Sequence, residues 1–445
     1  MGHRAMKSVA FVTVGCKLNQ FETEQMREAA EDGGYAAVAP AGKADVYVIN
    51  TCTVTSKSDY RSRQAVRRAL RLNPRATIIV TGCYAQLGAE ELARIPGVDA
   101  VVGNAQKEHI NRYLGLAKQR APVVEVTDSA GITDLHGTRR LHRFGRYTRA
   151  FVKIQDGCDN RCSYCAVPLA RGRSRSKSTA DIRAEVDVLI GEGYKESVLT
   201  GVHLGSYGRD LSAPTSLTDL LEALIPTAGL KRIRLSSIEP TDFTDRLVDL
   251  IADPATSICP HVHIPLQSGD DHILHLMGRQ YSAAFYADLI ARIRKRSPQC
   301  GIGADVMVGF PGEDEQAFRN TYDLIADLPV TYLHVFSFSP RYETPAARMK
   351  HQVPPAAKKE RSALLRQLGR EKSVRFRKGL MGKTLDVLVL GTLKEGRSTG
   401  LSGNYLRFFL ETPAAPNAIV QCRVTDIEST GLKGTALNSE SAACR

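Results

Sequence analysis

Three cysteines stand in a CxxxCxxC run, Cys158-Asp159-Asn160-Arg161-Cys162-Ser163-Tyr164-Cys165, directly behind an apolar, strand-like segment at 151–155. Three thiols on so short a loop constrain the chain more than its composition does. They can hold three corners of a [4Fe–4S] cluster and leave the fourth iron open to a chelating molecule. Zinc is the alternative, but it would want a fourth Cys or His at finger-like spacing, and none follows nearby. Apolar runs at 150–155, 197–200, 231–236, 261–266, 301–308 and 331–338 alternate with mostly helix-compatible sequence. That succession predicts a partial (β/α)6 barrel over 150–353, with its site at the carboxyl ends of the strands. The cysteine loop follows the first of them.

A second α/β series precedes it. Strand candidates at 9–14, 45–49, 76–80 and 98–102 are each followed by a polar, helix-compatible stretch, which predicts an open parallel sheet over 1–120. Gly15-Cys16, Asn50-Thr51-Cys52 and Gly82-Cys83 lie just past three of these strands. Singly, each cysteine would pass for a small buried hydrophobe. Together they mark the crevice where an open α/β sheet gathers its strand ends, each near a helix start that favours a thiolate. A second cluster held by Cys16, Cys52 and Cys83 is expected there. Cys259, Cys300, Cys422 and Cys444 have no such pattern and read as structural.

The rest of the chain is basic. A net charge of +13 fits a polyanionic partner. Arg139, Arg140, Arg143, Arg146 and Arg149 fall in an Arg-rich connector at 121–149; Arg171, Arg173, Arg175 and Lys177 follow the cysteine loop. Arg61, Arg63, Arg67, Arg68 and Arg71 lie on the helix after Cys52. Both groups beside the cysteine loop flank the expected active-site mouth, where they can hold phosphates, although charge runs are commonly just solvated faces. A basic helical linker occupies 354–378, and alternating residues with Gly, Ser and Asn turns over 379–445 predict a small β-barrel carrying Lys383, Lys394, Arg397 and Arg407. The chain has an apolar fraction of 43% and no stretch long enough to span a membrane. Its first residues run straight into a strand, leaving no room for a signal sequence. A cytoplasmic protein is expected, whose cysteines serve as ligands or buried thiols.

Three separated amino-terminal cysteines, a CxxxCxxC barrel and a terminal β-barrel together resemble the radical-SAM methylthiotransferases, the last segment being similar to that family's TRAM domain. The strings Gly15-Cys16-Lys17-Leu18-Asn19-Gln20, Asn50-Thr51-Cys52-Thr53-Val54-Thr55, Lys153-Ile154-Gln155-Asp156-Gly157-Cys158 and Leu199-Thr200-Gly201-Val202-His203-Leu204-Gly205 resemble the branch acting on N6-threonylcarbamoyladenosine beside the tRNA anticodon. The resemblance implies two [4Fe–4S] clusters and two S-adenosylmethionine molecules, one methylating sulfur on the amino-terminal cluster, the other cleaved to a 5′-deoxyadenosyl radical that opens carbon 2 of the base to SCH3. It also implies cofactor contacts from Tyr164, Thr200, Gly201, Ser237, Glu239, Gln267, Val308 and Gly309. For any one of these, packing or turn geometry is an equal reading. His261 and His263 share a strand face, more readily as packing or cofactor-side groups than as a metal pair. The implied partners are tRNA, gripped by Arg139, Arg140, Arg143, Arg146, Arg171, Arg173, Arg175 and Lys383; a flavodoxin- or ferredoxin-like electron donor; and a sulfur source. The rivals are the same chemistry on another tRNA adenosine or a ribosomal-protein aspartate, and a non-catalytic iron–sulfur RNA-binding or sensor protein.

Overall fold

The computed structural model describes residues 6–118, 121–133, 135, 140–145, 147–341, 343–393 and 396–437. Its first unit is a parallel sheet built from β1 (Ser8–Thr13), β2 (Ala36–Val38), β3 (Val46–Thr51), β4 (Thr77–Gly82), β5 (Ala100–Val102) and β6 (Val123–Glu125), in the order β2-β1-β3-β4-β5-β6. Every residue of β3 and β4 is buried, as a parallel sheet covered on both faces requires. Two of the strands are absent from the sequence reading. β6 lies inside the expected connector and pairs with β5, so the sheet runs past residue 120.

Helices α1 (Lys17–Asp32), α2 (Ser56–Leu72) and α3 (Cys83–Leu87) start immediately behind β1, β3 and β4. Thr55 caps α2 by accepting from the Ser58 amide. Cys16 stands at the cap of α1, but its thiol makes no cap hydrogen bond.

The central unit begins with β7 (Ala150–Lys153). A two-residue antiparallel ladder, β8 (Gln155–Asp156) with β9 (Arg175–Ser176), closes the neck of the cysteine loop, which ends in the short helix α4 (Val167–Arg171). β10 (Glu196–Thr200), β11 (Arg232–Leu235), β12 (His261–His263), β13 (Gly301–Val308) and β14 (Tyr332–Ser337) follow. They form two parallel three-stranded sheets, β11-β10-β7 and β12-β13-β14, joined where Ile238 N donates to His263 O at 3.0 Å. The expected six-stranded partial barrel is there. Its core includes Phe21 from α1, so the first two units share apolar packing.

The 24-residue helix α5 (Pro355–Lys378) covers β14. A closed barrel of β15 (Thr384–Thr392), β16 (Ser398–Ser402), β17 (Arg407–Leu410), β18 (Ile419–Glu428) and β19 (Gly431–Ala436) completes the chain, in the order β15-β16-β17-β19-β18. The β16–β17 turn plugs the amino-terminal end of the central barrel. Arg234 donates to Gly403 O (2.9 Å) and Ser402 O (3.1 Å), Arg232 to Leu401 O (3.0 Å), and Tyr405 stacks on His261 at 4.3 Å. Among the described residues, no helix is long and apolar enough to cross a membrane.

Candidate active site

Cys16, Cys52 and Cys83 come together at the strand ends of the first sheet. Gly15 has φ +129°, and a Cβ there would lie 2.8 Å from Cys52 Cβ and 3.3 Å from its Sγ, so the Gly15-Cys16 turn rests directly on Cys52. Burial, followed by the nearby thiols of Cys83 and Cys16, pushes Cys52 up to about 11. Cys16 is also raised by burial, with Arg171 pulling the other way. Cys16 is solvent-accessible at this otherwise enclosed spot, whereas Cys52 and Cys83 are buried.

Asn19 ties the turn together. Its amide donates to Val14 O and Thr51 O, both at 2.9 Å, and its carbonyl oxygen lies 3.7 Å from Cys16 Sγ.

The second triad is held by the loop's own backbone. Asn160 N–H points at Cys158 Sγ (3.4 Å) and Val167 N–H at Cys165 Sγ (3.5 Å), while Arg279 Nη1 reaches Cys162 Sγ at 3.4 Å. Ser163 fastens the loop's midpoint to Leu276 O and Met277 O, which brings Arg279 into range. Arg279 also pairs with Glu239. His203 lies 2.7 Å from Asp242 and 3.9 Å from Cys158 Sγ; against the burial that would lower it, these contacts raise it to about 9. Gln155 laces the site, accepting from Val202 N and His203 N (2.9 Å each) and donating to Gly157 O (2.7 Å).

N–H donors aimed at sulfur are what metal-bound thiolates need. The cysteine loop therefore fits three-point ligation of a [4Fe–4S] cluster, and the backbone amides of Asn19 and Val54 play the same part toward Cys16 and Cys52 in the first triad. Cys259, Cys300 and Cys422 are buried apart from them, and Cys444 lies outside the described residues. Nothing in the spacing singles out Asn19, Gln155, His203 or Arg279. A lone arginine in the apolar string Leu276-Met277-Gly278-Arg279 is the one available hint.

A buried ionic seam joins the elements that carry the two triads. α3, headed by Cys83, packs on α4. Arg171 donates from Nη1 to Glu22 Oε1 (2.7 Å) and Asp156 Oδ1 (3.0 Å), and from Nη2 to Asn19 Oδ1 (2.9 Å). Lys107 and Lys153 add to the seam through Glu22. Despite burial, Arg171, Lys107 and Lys153 hold the Glu22 carboxyl well below the usual range.

This corrects part of the RNA expectation. Arg171 and Arg175 are buried, as is Lys177, paired with Glu185, so their charges are committed inside the protein and cannot meet phosphate. Arg173, Arg143, Arg140 and Lys383 are exposed; Arg139, Arg146 and Lys394 lie outside the described residues.

The expected cofactor contacts surround the cysteine loop unevenly. Thr200 and Val308 are buried, Ser237 is exposed, and Glu239 is occupied by Arg279. Gly201 lies against the Gln155 side chain. The close approach at Gly309 is made by the Lys358 stem, and Tyr164 packs with Phe310, Met277 and Phe338. Gln267 adopts φ +64°, a costly conformation that its bridge to Val306 stabilises. His261 and His263 do not converge as a metal pair: one stacks on Tyr405, the other contacts Asp305.

Residues 8–103 match the family described as Uncharacterized protein family UPF0004, and 152–325 match the Radical SAM superfamily. The chain is 39% identical to the threonylcarbamoyladenosine tRNA methylthiotransferase MtaB of Bacillus subtilis, over 90% of each chain. It is 38% identical to the Thermotoga maritima protein of that name, over 90% of this chain and 91% of the relative. It is 36% identical to the tRNA-2-methylthio-N(6)-dimethylallyladenosine synthase of Moorella thermoacetica, over 97% and 98%. In fold it is similar to the radical S-adenosylmethionine methyltransferase TsrM of Kitasatospora setae, with a TM-score of 0.56, 16% identity and 77% of each chain covered.

Proposed function

Since the chain belongs to the radical-SAM methylthiotransferases, we propose that it modifies carbon 2 of N6-threonylcarbamoyladenosine beside the tRNA anticodon. The family makes it an enzyme that methylthiolates tRNA with S-adenosylmethionine and [4Fe–4S] chemistry. The choice of adenosine is supported by the Bacillus and Thermotoga relatives, both named for the threonylcarbamoyl base.

The observation that supports the rest is the buried Arg171 seam, which joins the helix behind the Cys158 loop to the helix behind Cys16. In this reading Cys158, Cys162 and Cys165 hold the cluster at which S-adenosylmethionine is cleaved, and Cys16, Cys52 and Cys83 hold the one that carries sulfur. Two S-adenosylmethionine molecules are used. When bound, the first cluster and its cofactor supply a 5′-deoxyadenosyl radical, which suits an aromatic carbon with no acid–base handle.

The chain's own groups orient and insulate. The amides of Asn160 and Val167 and the Arg279 guanidinium stabilise thiolates at the cysteine loop. Glu239, Gln267 and the Val308–Gly309 backbone border the cofactor space, and Arg171 keeps the two triads in register. The base leaves its stack to enter the barrel. Arg140, Arg143, Arg173 and Lys383 grip the RNA, together with the terminal barrel. Such an enzyme works in the cytoplasm beside its tRNA and draws on a low-potential electron donor and a sulfur donor.

Anaerobic reconstitution tests this reading. About eight irons per chain are expected. Replacing Cys158, Cys162 and Cys165 should abolish cofactor cleavage, whereas replacing Cys16, Cys52 and Cys83 should spare cleavage and abolish methylthiolation. Saturation at one cluster's worth of iron would sink the two-cluster assignment.

A further inference from the structure

Midway along the barrel wall lies a polar patch that the proposed chemistry does not use. Val262, Ile302, Ala304 and Val306 point into the core, so His263, Gly303, Asp305, Tyr332 and His334 share the opposite face, towards the lumen. A Cβ on Gly303 would come 2.1 Å from the Tyr332 ring; only glycine lets that ring lie flat across the strand. The Tyr332 hydroxyl is 2.8 Å from His261 Nε2 and 3.1 Å from His263 Nδ1. His263 Nε2 (2.9 Å) and His334 Nδ1 (3.3 Å) both meet Asp305 Oδ1.

One proton arrangement satisfies the chain. His261 Nε2–H donates to Tyr332, whose hydroxyl donates to His263 Nδ1; His263 Nε2–H and His334 Nδ1–H both donate to Asp305. The remaining Nδ1 of His261 makes no hydrogen bond, as this tautomer allows. The chain ends at His334, whose side chain is 53% exposed, and its Nε2, which takes up a proton together with an incoming anion so that it can donate to it, is the group presented to the ligand.

Beside the patch, positive charge is in excess. Arg149, Arg232 and Arg234 converge on a single carboxylate, Glu196. Arg149 Nη1 approaches it only at 3.7 Å and makes no hydrogen bond. Lys17 stands over Tyr405, at 5.9 Å from the ring centroid, within electrostatic range of His261 as are His263 and His334. Asp305 is already committed to two imidazoles. Enclosed cations without matching acids call for an anionic ligand.

We infer that this patch is the specificity pocket for the arm on N6 of the base: His334, positioned by Asp305, together with Lys17, receives a carboxylate-bearing, hydrogen-bonding substituent and disfavours a hydrocarbon one. The inference rests on the threonylcarbamoyladenosine reading above and names the residues that would enforce it. Asp305 precedes Val308 by three residues, so the patch lies roughly 10 Å below the strand ends where the cofactor space opens. A base presenting carbon 2 upwards can direct its N6 arm into it.

The test compares tRNA carrying threonylcarbamoyladenosine with the same tRNA whose threonine carboxylate has been converted to the carboxamide. Wild-type enzyme is expected to favour the carboxylate by at least about tenfold in kcat/KM. Lys17→Met and His334→Leu should each bring that ratio towards one, and His334→Gln should restore part of it. A ratio cancels any loss of cluster in a variant. A wild-type ratio near one, or a ratio unmoved in Lys17→Met and His334→Leu, would overturn the inference. So would a stoichiometric divalent ion, beyond cluster iron, that His334→Leu releases, because His263, Asp305 and His334 would then be its ligands. A wild-type enzyme that ignores threonylcarbamoyladenosine but methylthiolates dimethylallyladenosine tRNA would instead contradict the proposed function.

Discussion

Arg171 Nη1 lies 2.7 Å from Glu22 Oε1, joining the helix behind the cysteine loop to the first helix of the amino-terminal sheet. Both side chains are almost fully buried. Arg171→Met would leave two enclosed carboxylates short of a partner, Glu22 losing its main one and Asp156 keeping Lys153 close by. The expected cost is about 3–5 kcal/mol, read as a fall in melting temperature. A melting temperature unchanged within error would mean the seam is dispensable.

The same seam sets an acid limit. Burial alone would raise Glu22 and Asp156, but Arg171 and Lys153, joined by Lys107 at Glu22, hold both well below the usual carboxylate range. A depressed folded pKa contributes stability that is complete above the unfolded values, about 3.9–4.3, and is lost as pH falls towards the folded ones. Thermal stability should therefore drop steadily below about pH 5. Arg171→Met should flatten that dependence, and an equally steep curve in the variant would assign the acid sensitivity elsewhere.

Arg173 makes the opposite case. It is 86% exposed and 3.5 Å from Asp159. Arg173→Ala should change stability by less than about 0.5 kcal/mol and weaken tRNA binding, with the salt slope shallower by about 0.7–0.9 for a lost phosphate contact. Binding isotherms across a salt series check this. An unchanged slope would remove Arg173 from the RNA surface.

Removing the terminal barrel should damage the central one. A chain ending at Gly379 strips Arg232 and Arg234 of the carbonyls of Leu401, Ser402 and Gly403, and His261 of its stacking partner Tyr405. The truncated protein should melt below the full chain, as well as bind tRNA weakly. If it melted at the same temperature, the turn would be resting on the barrel without supporting it.

The regular alternation of apolar runs made both α/β units legible, and the placement of Cys16, Cys52 and Cys83 past strand ends anticipated their convergence. Strands β2 and β6 are the two edges of the sheet and only partly buried, so no fully apolar run marks them in the sequence. The misjudged arginines have a common cause. Arg171 and Arg173 are identical as residue types two positions apart, yet one meets Glu22 from a distant helix and the other meets solvent. Burial of a charge is decided by tertiary partners, which local pattern does not carry. The Gly403–Tyr405 turn escaped for the same reason. Its residues read as an ordinary hairpin, and only the packed barrel shows the His261 ring and Arg234 waiting for it. His334 gave no signal beyond lying in a strand.

In the proposed reaction two cysteine triads act together on one modified adenosine. Nucleoside mass spectrometry of tRNA tests it most directly, in cells lacking this gene and complemented with wild type, Cys16→Ala or Cys158→Ala. Threonylcarbamoyladenosine should accumulate without its methylthio group in the deletion, wild type should restore the group, and neither cysteine variant should do so. Full restoration by either cysteine variant, or a deletion in which the methylthiolated nucleoside persists, would contradict it.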